Sequence, residues 1–266
     1  MMNIPASGIQ EFQLSQSSLD LSTELTTSGA VNVTTRSGTN DIHGEAFGFF
    51  RDSALAAALP APPGLSENFQ RSQYGGRLGG SIIKNKFFFF LDGERKLQHE
   101  QAPVLVATPF AQYSGSFTSP FRENNLMAKA DYQLTQLTQS AHVFYRFSYF
   151  QNSFTANGGL GFSAYAGKNI TRTHVSGLDF NTGSFSHSIR FGYLRAELDL
   201  SDATKGSGLP FSNYPVEIQM GNTGMATGPN STIPVLGLQS NHQQSSGQIR
   251  RQQDLGSAHH LLRLRL

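Results

Sequence analysis

The chain contains no cysteine. That removes disulfide frameworks, thiolate metal sites and cysteine nucleophiles together. Charge is also scarce. Asp, Glu, Lys and Arg make up 14% of the 266 residues, against about a quarter in an ordinary soluble domain. The net charge of +2 is too small to argue for a nucleic-acid partner. No stretch approaches the roughly 20 apolar residues of a membrane-spanning helix, so any membrane reading must run through strands. Residues Met1 to Pro5 carry neither a basic n-region nor an apolar h-region, so no export signal is visible. No G-x-S-x-G, H-E-x-x-H or Ser/His/Asp grouping can be built from the spacings. The expectation is therefore a protein that is not an enzyme and uses no cofactor.

What the chain does have is alternation. From Gln73 to Arg95 it reads QYGGRLGGSIIKNKFFFFLDGER. Tyr74, Gly76, Leu78, Gly80 and Ile82 alternate with Gln73, Gly75, Arg77, Gly79 and Ser81. One face is apolar or small and the other polar, the period-two signature of a strand between unlike environments. After Lys84-Asn85-Lys86 the chain turns into Phe87, Phe89 and Leu91, too apolar a run for a soluble edge strand. An outer face in lipid and an inner face in water would suit this pattern, which points to a transmembrane β-barrel. A mean hydropathy of -0.31 is no objection, because every second residue of a barrel strand faces water.

The same plan recurs. Leu126, Ala128, Ala130, Tyr132 and Leu134 alternate with Asn125, Met127, Lys129, Asp131 and Gln133. Beyond a short polar turn at 135–139, Ala141, Val143, Tyr145, Phe147 and Tyr149 alternate with Ser140, His142, Phe144, Arg146 and Ser148. A third pair runs from Ile170 to Thr182 and, after a turn near Gly183-Ser184-Phe185, through Ile189, Phe191 and Tyr193. A first strand is expected at about His43 to Asp52. Long connections (53–69, 98–121, 152–169 and from Ser201 on) alternate with short ones at 84–86, 135–139 and 183–185. Outer-membrane barrels have this asymmetry, with short periplasmic turns and long extracellular loops.

Residues 1–40 differ. Ile9 to Leu14 and Ala30 to Arg36 form two short alternating segments joined by a Ser/Thr-rich link. Neither is long or apolar enough to cross a membrane, and they suit a small globular piece ahead of the barrel.

Three segments, IPASGIQEFQL, SGAVNVTTRSGTNDIHGEAFGFFRD and FQRSQYGGRLGGSIIKNKFFFFLDGE, resemble the TonB-dependent outer-membrane transporters, and among them the Oar-like subgroup. Ser28 to Asn40 is similar to the segment that ends the family's plug. His43 to Phe47 is similar to the start of its first barrel strand. Gly75 to Phe89 is similar to its "G-G-x-x-G-G-P-I-x-K-N-K-x-F-F-F" segment, with Ser81 in the proline's place. The resemblance covers about residues 4–200. It implies an all-β fold: a partial, open antiparallel transmembrane barrel of about seven strands, preceded by the end of a plug domain. Residues 1–40 would be the C-terminal part of the plug, 41–200 the first barrel strands, and 201–266 a long loop and an aberrant tail. Nothing here corresponds to the family's TonB box or to the first part of its plug. The tail from Gly247 loses the alternation and reads like a truncated or shifted frame. With no export signal in view, the expectation is a fragment of a longer protein in the Gram-negative outer membrane. The implied partners are outer-membrane lipid, the TonB complex (through absent N-terminal segments) and an unknown extracellular substrate, with no nucleic acid. The implied activity is energised uptake. An outer-membrane surface or secretion-linked binding protein on the same barrel, or a soluble all-β binding domain, are the alternatives.

The remaining motifs read structurally. Gly75-Gly76 and Gly79-Gly80 lack the strand, helix and Lys-Ser/Thr of a phosphate loop. His259 and His260 are the one adjacent histidine pair, but neighbours on a strand point to opposite faces, so no metal site is expected. Glu45, Asp92 and Glu94 are expected at strand ends and turns. Arg77, Lys129, Asp131, His142, Arg146 and Arg190 are the lumen-facing candidates for a site.

Overall fold

The computed structural model describes residues 4–15, 30–55, 64–65, 68–134, 141–157, 164–214, 218–221, 226–227, 239–255 and 258–265. Strands β1 (Ile9–Ser15) and β2 (Ala30–Thr35) form an antiparallel pair of their own. The rest is one long meander: β3 (His43–Asp52), β4 (Phe69–Ile83), β5 (Phe87–Val104), β6 (Gly115–Thr118), β7 (Phe121–Gln133), β8 (Ala141–Asn157), β9 (Ala164–Thr182) and β10 (Phe185–Asp202). A two-residue ladder follows, β11 (Ile218–Gln219) with β12 (Ala226–Thr227), and then β13 (Gln239–Leu255) and β14 (Ala258–Arg265).

Among the described residues the main sheet has ten strands, in the order β14-β13-β10-β9-β8-β7-β5-β4-β3, with β6 branching onto β5. It is open, with β3 and β14 at its edges. The expected antiparallel all-β fold is thus observed, with more strands than the seven or so that the alternation indicated. The excess is β6, within the connection expected at 98–121, and two strands in the last third. Gln239–Leu255 pairs along β10, and Ala258–Arg265 pairs back onto it, where a loop and an aberrant tail were expected. Ladder pairing joins backbone groups, which need no alternation of side chains.

Strands β4, β5 and β7 to β10 run past the nine to eleven or so residues that a membrane crossing needs; β9, for example, has 19 residues. Extra length accumulates at the long-loop end, so the connection expected at 152–169 shrinks to the residues between Asn157 and Ala164. The short-turn end is tight. Gly183, at φ 60°, occupies the first position of the two-residue turn between Thr182 and Phe185, where such hairpins place glycine. In the Lys84–Lys86 turn the left-handed residue is Asn85, at φ 60°, and the Asn40 side chain clamps it. Asn40 Oδ1 accepts from the Asn85 backbone N–H at 2.8 Å, and Asn40 Nδ2 donates to Asn85 Oδ1 at 2.6 Å.

The two faces of the sheet follow from the register. Residues directly opposite on neighbouring strands share a face, so the outward rows can be traced across the wall. Nearest the short turns is Ile83–Phe87–Tyr132–Val143–Leu178–Ile189. The second row is Gly80–Phe89–Ala130–Tyr145–Ser176–Phe191, and the third is Leu78–Leu91–Ala128–Phe147–His174–Tyr193. The fourth, Gly76–Gly93–Leu126–Tyr149–Arg172–Arg195, starts apolar and ends charged. Among the described residues, Leu78, Leu91, Leu126 and Phe191 are exposed on this face. Four rows at about 6.7 Å each occupy about 27 Å of strand, approaching what a tilted strand needs to cross hydrocarbon. Tyr132 and Tyr149 mark the borders, as aromatic girdles do in barrels.

The alternation expected for Tyr74, Leu78, Phe87, Phe89, Val143, Tyr145, Phe147, Ile189 and Phe191 holds throughout. The difference is at Ile82. Ser81 pairs with Phe88 and Ile83 with Phe87, so a bulge falls at Ile82. The extra residue places Ile83 in the outward row that strict alternation had left to Ile82.

Candidate functional site

Arg77, Lys129, Asp131, His142, Arg146 and Arg190 all lie on the opposite, inward face. The ladders carry that face from Arg77 to Asp92 and Met127, from Phe90 through Lys129 to Arg146, and from Asp131 through Phe144 and Gly177 to Arg190. The structure gathers them into two groups. One is a chain of charges at the short-turn end. Asp131 is 3% exposed and accepts at its Oδ1 from Lys129 Nζ at 3.5 Å and from His142 Nε2 at 3.0 Å. His142 Nδ1 then lies 3.8 Å from Asp179, whose carboxylate accepts from Arg190 at 2.7 Å. Phe144 sits inside this chain, with Lys129 Nζ 5.4 Å and the Arg190 guanidinium 5.0 Å from its ring centroid. A ring face between two cations shields both from water and attracts them. Arg146 is buried beside Lys129, at 8% exposure.

The second group holds the N-terminal segment against the wall. Arg77 bonds Glu45 across β3 and β4, and its other terminal nitrogen donates to the Ser7 carbonyl at 3.0 Å. The Ser7 hydroxyl lies 2.9 and 2.8 Å from the two oxygens of Asp92, a carboxylate only 5% exposed. Lys129 Nζ donates to Ser37 Oγ at 2.7 Å. The Arg36 N–H donates to the Gly8 carbonyl, tying the two halves of the segment together. At Gly38 the chain passes so close that a Cβ would lie 2.3 Å from the Phe89 carbonyl and 2.4 Å from that of Gly80. Between this segment and the wall is a cleft of about 330 Å³, lined by Arg36, Ser37, His43, Glu45, Arg77 and Phe90 among others. Its mix of guanidinium, hydroxyl and carboxylate groups suits a small polar molecule held by hydrogen bonds.

Three carboxylates lie elsewhere than the sequence indicated, and two serines carried no signal in it. Asp92 and Glu94 are central in β5, and Glu45 is in β3, not at strand ends or turns. Their parity was available: Asp92 follows Leu91 and precedes Gly93, so it must share a face with Phe90 and oppose Arg77. Ser7 and Ser37 carry no such signal, because their contacts span |i−j| of 85 and 92 residues. Among the described residues no group of His, Asp and Glu is placed to hold a metal ion. His259 and His260 fall in β14, and their side chains lie outside the described residues. On the outward face His174 joins Ser176 as a polar residue within the apolar rows. Its Nδ1 shares a hydrogen bond of 2.7 Å with the Tyr145 hydroxyl, and its ring lies 5.0 Å from that of Phe147.

Residues 34–120 match the family model described as the outer membrane beta barrel domain. No curated protein and no solved structure matches the chain. The match begins in β2 and takes in β3, β4 and β5, the strands on which the inward cluster and the outward apolar rows both start. The open antiparallel sheet, its uncovered apolar belt and this match together support an outer-membrane β-barrel protein.

Proposed function

We propose that the chain is part of a TonB-dependent outer-membrane transporter of the Oar-like kind, in which residues 1–40 end a plug and β3 onward form the barrel wall. The observation that carries this reading is the attachment of residues 4–15 and 30–40 to the inward face, through Ser7 on Asp92, the Ser7 carbonyl on Arg77, and Ser37 on Lys129. These are polar contacts to a water-facing wall, which can be broken and remade with little loss of apolar burial. A segment that must move under a pull is suited by that kind of attachment. Substrate would enter from the long-loop side, and the work would be conformational, with no covalent step. The substrate itself is unnamed by these residues. The alternative of a surface or secretion-linked binding protein on the same wall draws on the inward ion chain, whose charges pair largely with one another.

The test uses the full-length protein in cells, with a single cysteine at Gln10→Cys, which lines the cleft between segment and wall and makes none of the docking bonds. Labelling of position 10 by a periplasmic maleimide should rise when the TonB complex is energised and fall when the proton gradient is collapsed. Labelling that ignores both the gradient and the loss of TonB would refute the transport reading and favour the binding one.

A further inference from the structure

On the outward face, β4 and β5 place Gly76 directly opposite Gly93. With no side chain at either position the surface sinks into a cleft of about 560 Å³, walled by Leu78, Leu91, Leu126 and Phe147; Glu45, Arg77 and Asp92, which have the inward parity, also line it. This cleft spans the third and fourth rows, toward the long-loop border of the apolar belt. Beyond it the face changes character. The next row is Tyr74–Arg95–Asn124–Gln151, and the one after it is Ser72–Leu97–Arg122–Ser153. Arg95 and Arg122 are both exposed. From β3 to β8 no carboxylate stands on this face in either row, because Glu45, Glu94 and Glu123 have the other parity. The acidic residue nearest in kind, Glu197 on β10, is already taken by Arg172 at 3.0 Å and Arg195 at 2.9 Å.

An apolar cleft open to the belt and topped by two uncompensated guanidinium groups has the layout of an anchored amphiphile. An acyl chain filling the glycine cleft would recover apolar contact that the flat lipid boundary leaves loose. The head of such a chain emerges at the belt's border, where a guanidinium presents its planar fork to phosphate oxygens. We propose that this cleft and the Arg95–Arg122 pair form a binding site for an anionic, phosphate-bearing membrane lipid, its acyl chain between Leu78, Leu91 and Leu126. The site rests on the belt facing lipid and does not depend on transport.

The test takes the full-length protein in nanodiscs of phosphatidylcholine containing a minor share of phosphatidylglycerol, and measures retained lipid by native mass spectrometry. Wild type should retain phosphatidylglycerol selectively. The double variant Arg95→Gln with Arg122→Gln should lower that selectivity at least ten-fold. Gly93→Val should weaken retention with both arginines in place; a Cβ there meets only the Leu126 side chain, at 3.2 Å, so folding is expected to survive. Millimolar inorganic phosphate should fail to displace the lipid. Equal retention by the double variant, or by Gly93→Val, would overturn the site, and full displacement by inorganic phosphate would make the ligand a free anion. Resistance to carbonate extraction is scored alongside. A protein that is not membrane-embedded would overturn the outer-membrane reading as well, whereas an embedded protein without lipid selectivity would overturn this site alone.

Discussion

Removing the Ser7 hydroxyl should release the N-terminal segment from the wall. Ser7 touches both oxygens of Asp92, at 2.9 and 2.8 Å, and Asp92 is 5% exposed. In Ser7→Ala the carboxylate loses a donor that water cannot readily replace while the segment stays docked. A hydrogen bond to a charged group contributes about 1.5–3 kcal/mol. The penalty falls only on the docked state, since undocking lets water reach Asp92. At about 1.4 kcal/mol per factor of ten, the open population of the segment should rise roughly 10- to 150-fold. The bond from Arg77 to the Ser7 carbonyl involves the backbone and survives the substitution, so the lower part of that range is expected. Hydrogen exchange by mass spectrometry in detergent or nanodiscs reads this directly. Amides of residues 4–15 and 30–38 should lose protection, while β7 and β8 keep theirs. Unchanged exchange in the segment would refute the claim that this contact holds it, and a uniform loss across the wall would show that Ser7 supports the barrel instead.

Gly38→Val should detach the segment by a different route, because its Cβ would meet the Phe89 and Gly80 carbonyls at 2.3 and 2.4 Å; overpacking of about 1–3 kcal/mol should appear as faster proteolysis near residue 38 with the strands intact. Asp131→Ala leaves Lys129, whose side chain is 10% exposed, without its acid, and breaking a buried pair costs about 3–5 kcal/mol. A lower midpoint for loss of the heat-modifiable band on gels checks this, and Asp179→Ala, at a more exposed pair, should shift it less. Leu91→Arg puts a charge in the middle of the outward belt and should cost about 2–4 kcal/mol in bilayers, read as reduced folding yield into vesicles.

Much of this was legible in the residues. Alternation from Gln73 to Leu91 fixed both faces of β4 and β5, because a period-two pattern leaves one choice of register. The candidates Arg77, Lys129, Asp131, His142, Arg146 and Arg190 fell on one face for the same reason. What alternation could not carry was insertion and distance. The bulge at Ile82 adds a residue without altering composition, so the apolar pair Ile82-Ile83 reads equally well either way. The Ser7–Asp92 and Ser37–Lys129 contacts join parts of the chain separated by most of the wall's first half, and no local period encodes them. The strands at 239–255 and 258–265 were missed because the first is almost wholly polar, so its pairing rests on the backbone, and the Leu262-Arg263-Leu264-Arg265 alternation of the second is too short to mark a strand by itself.

The central claim is that one face of the wall lies against lipid and the other holds the polar interior. The absence of cysteine makes it directly testable, because a spin label can be placed at one position at a time from Phe87 to Arg95. In vesicles, oxygen should collide freely with labels at 87, 89 and 91, while a water-soluble nickel chelate should not. Labels at 88, 90 and 92 should be shielded from both, and position 95 should admit the chelate. A period of two with that phase is the predicted result. Equal accessibility at 90 and 91, or the opposite phase, would contradict the account.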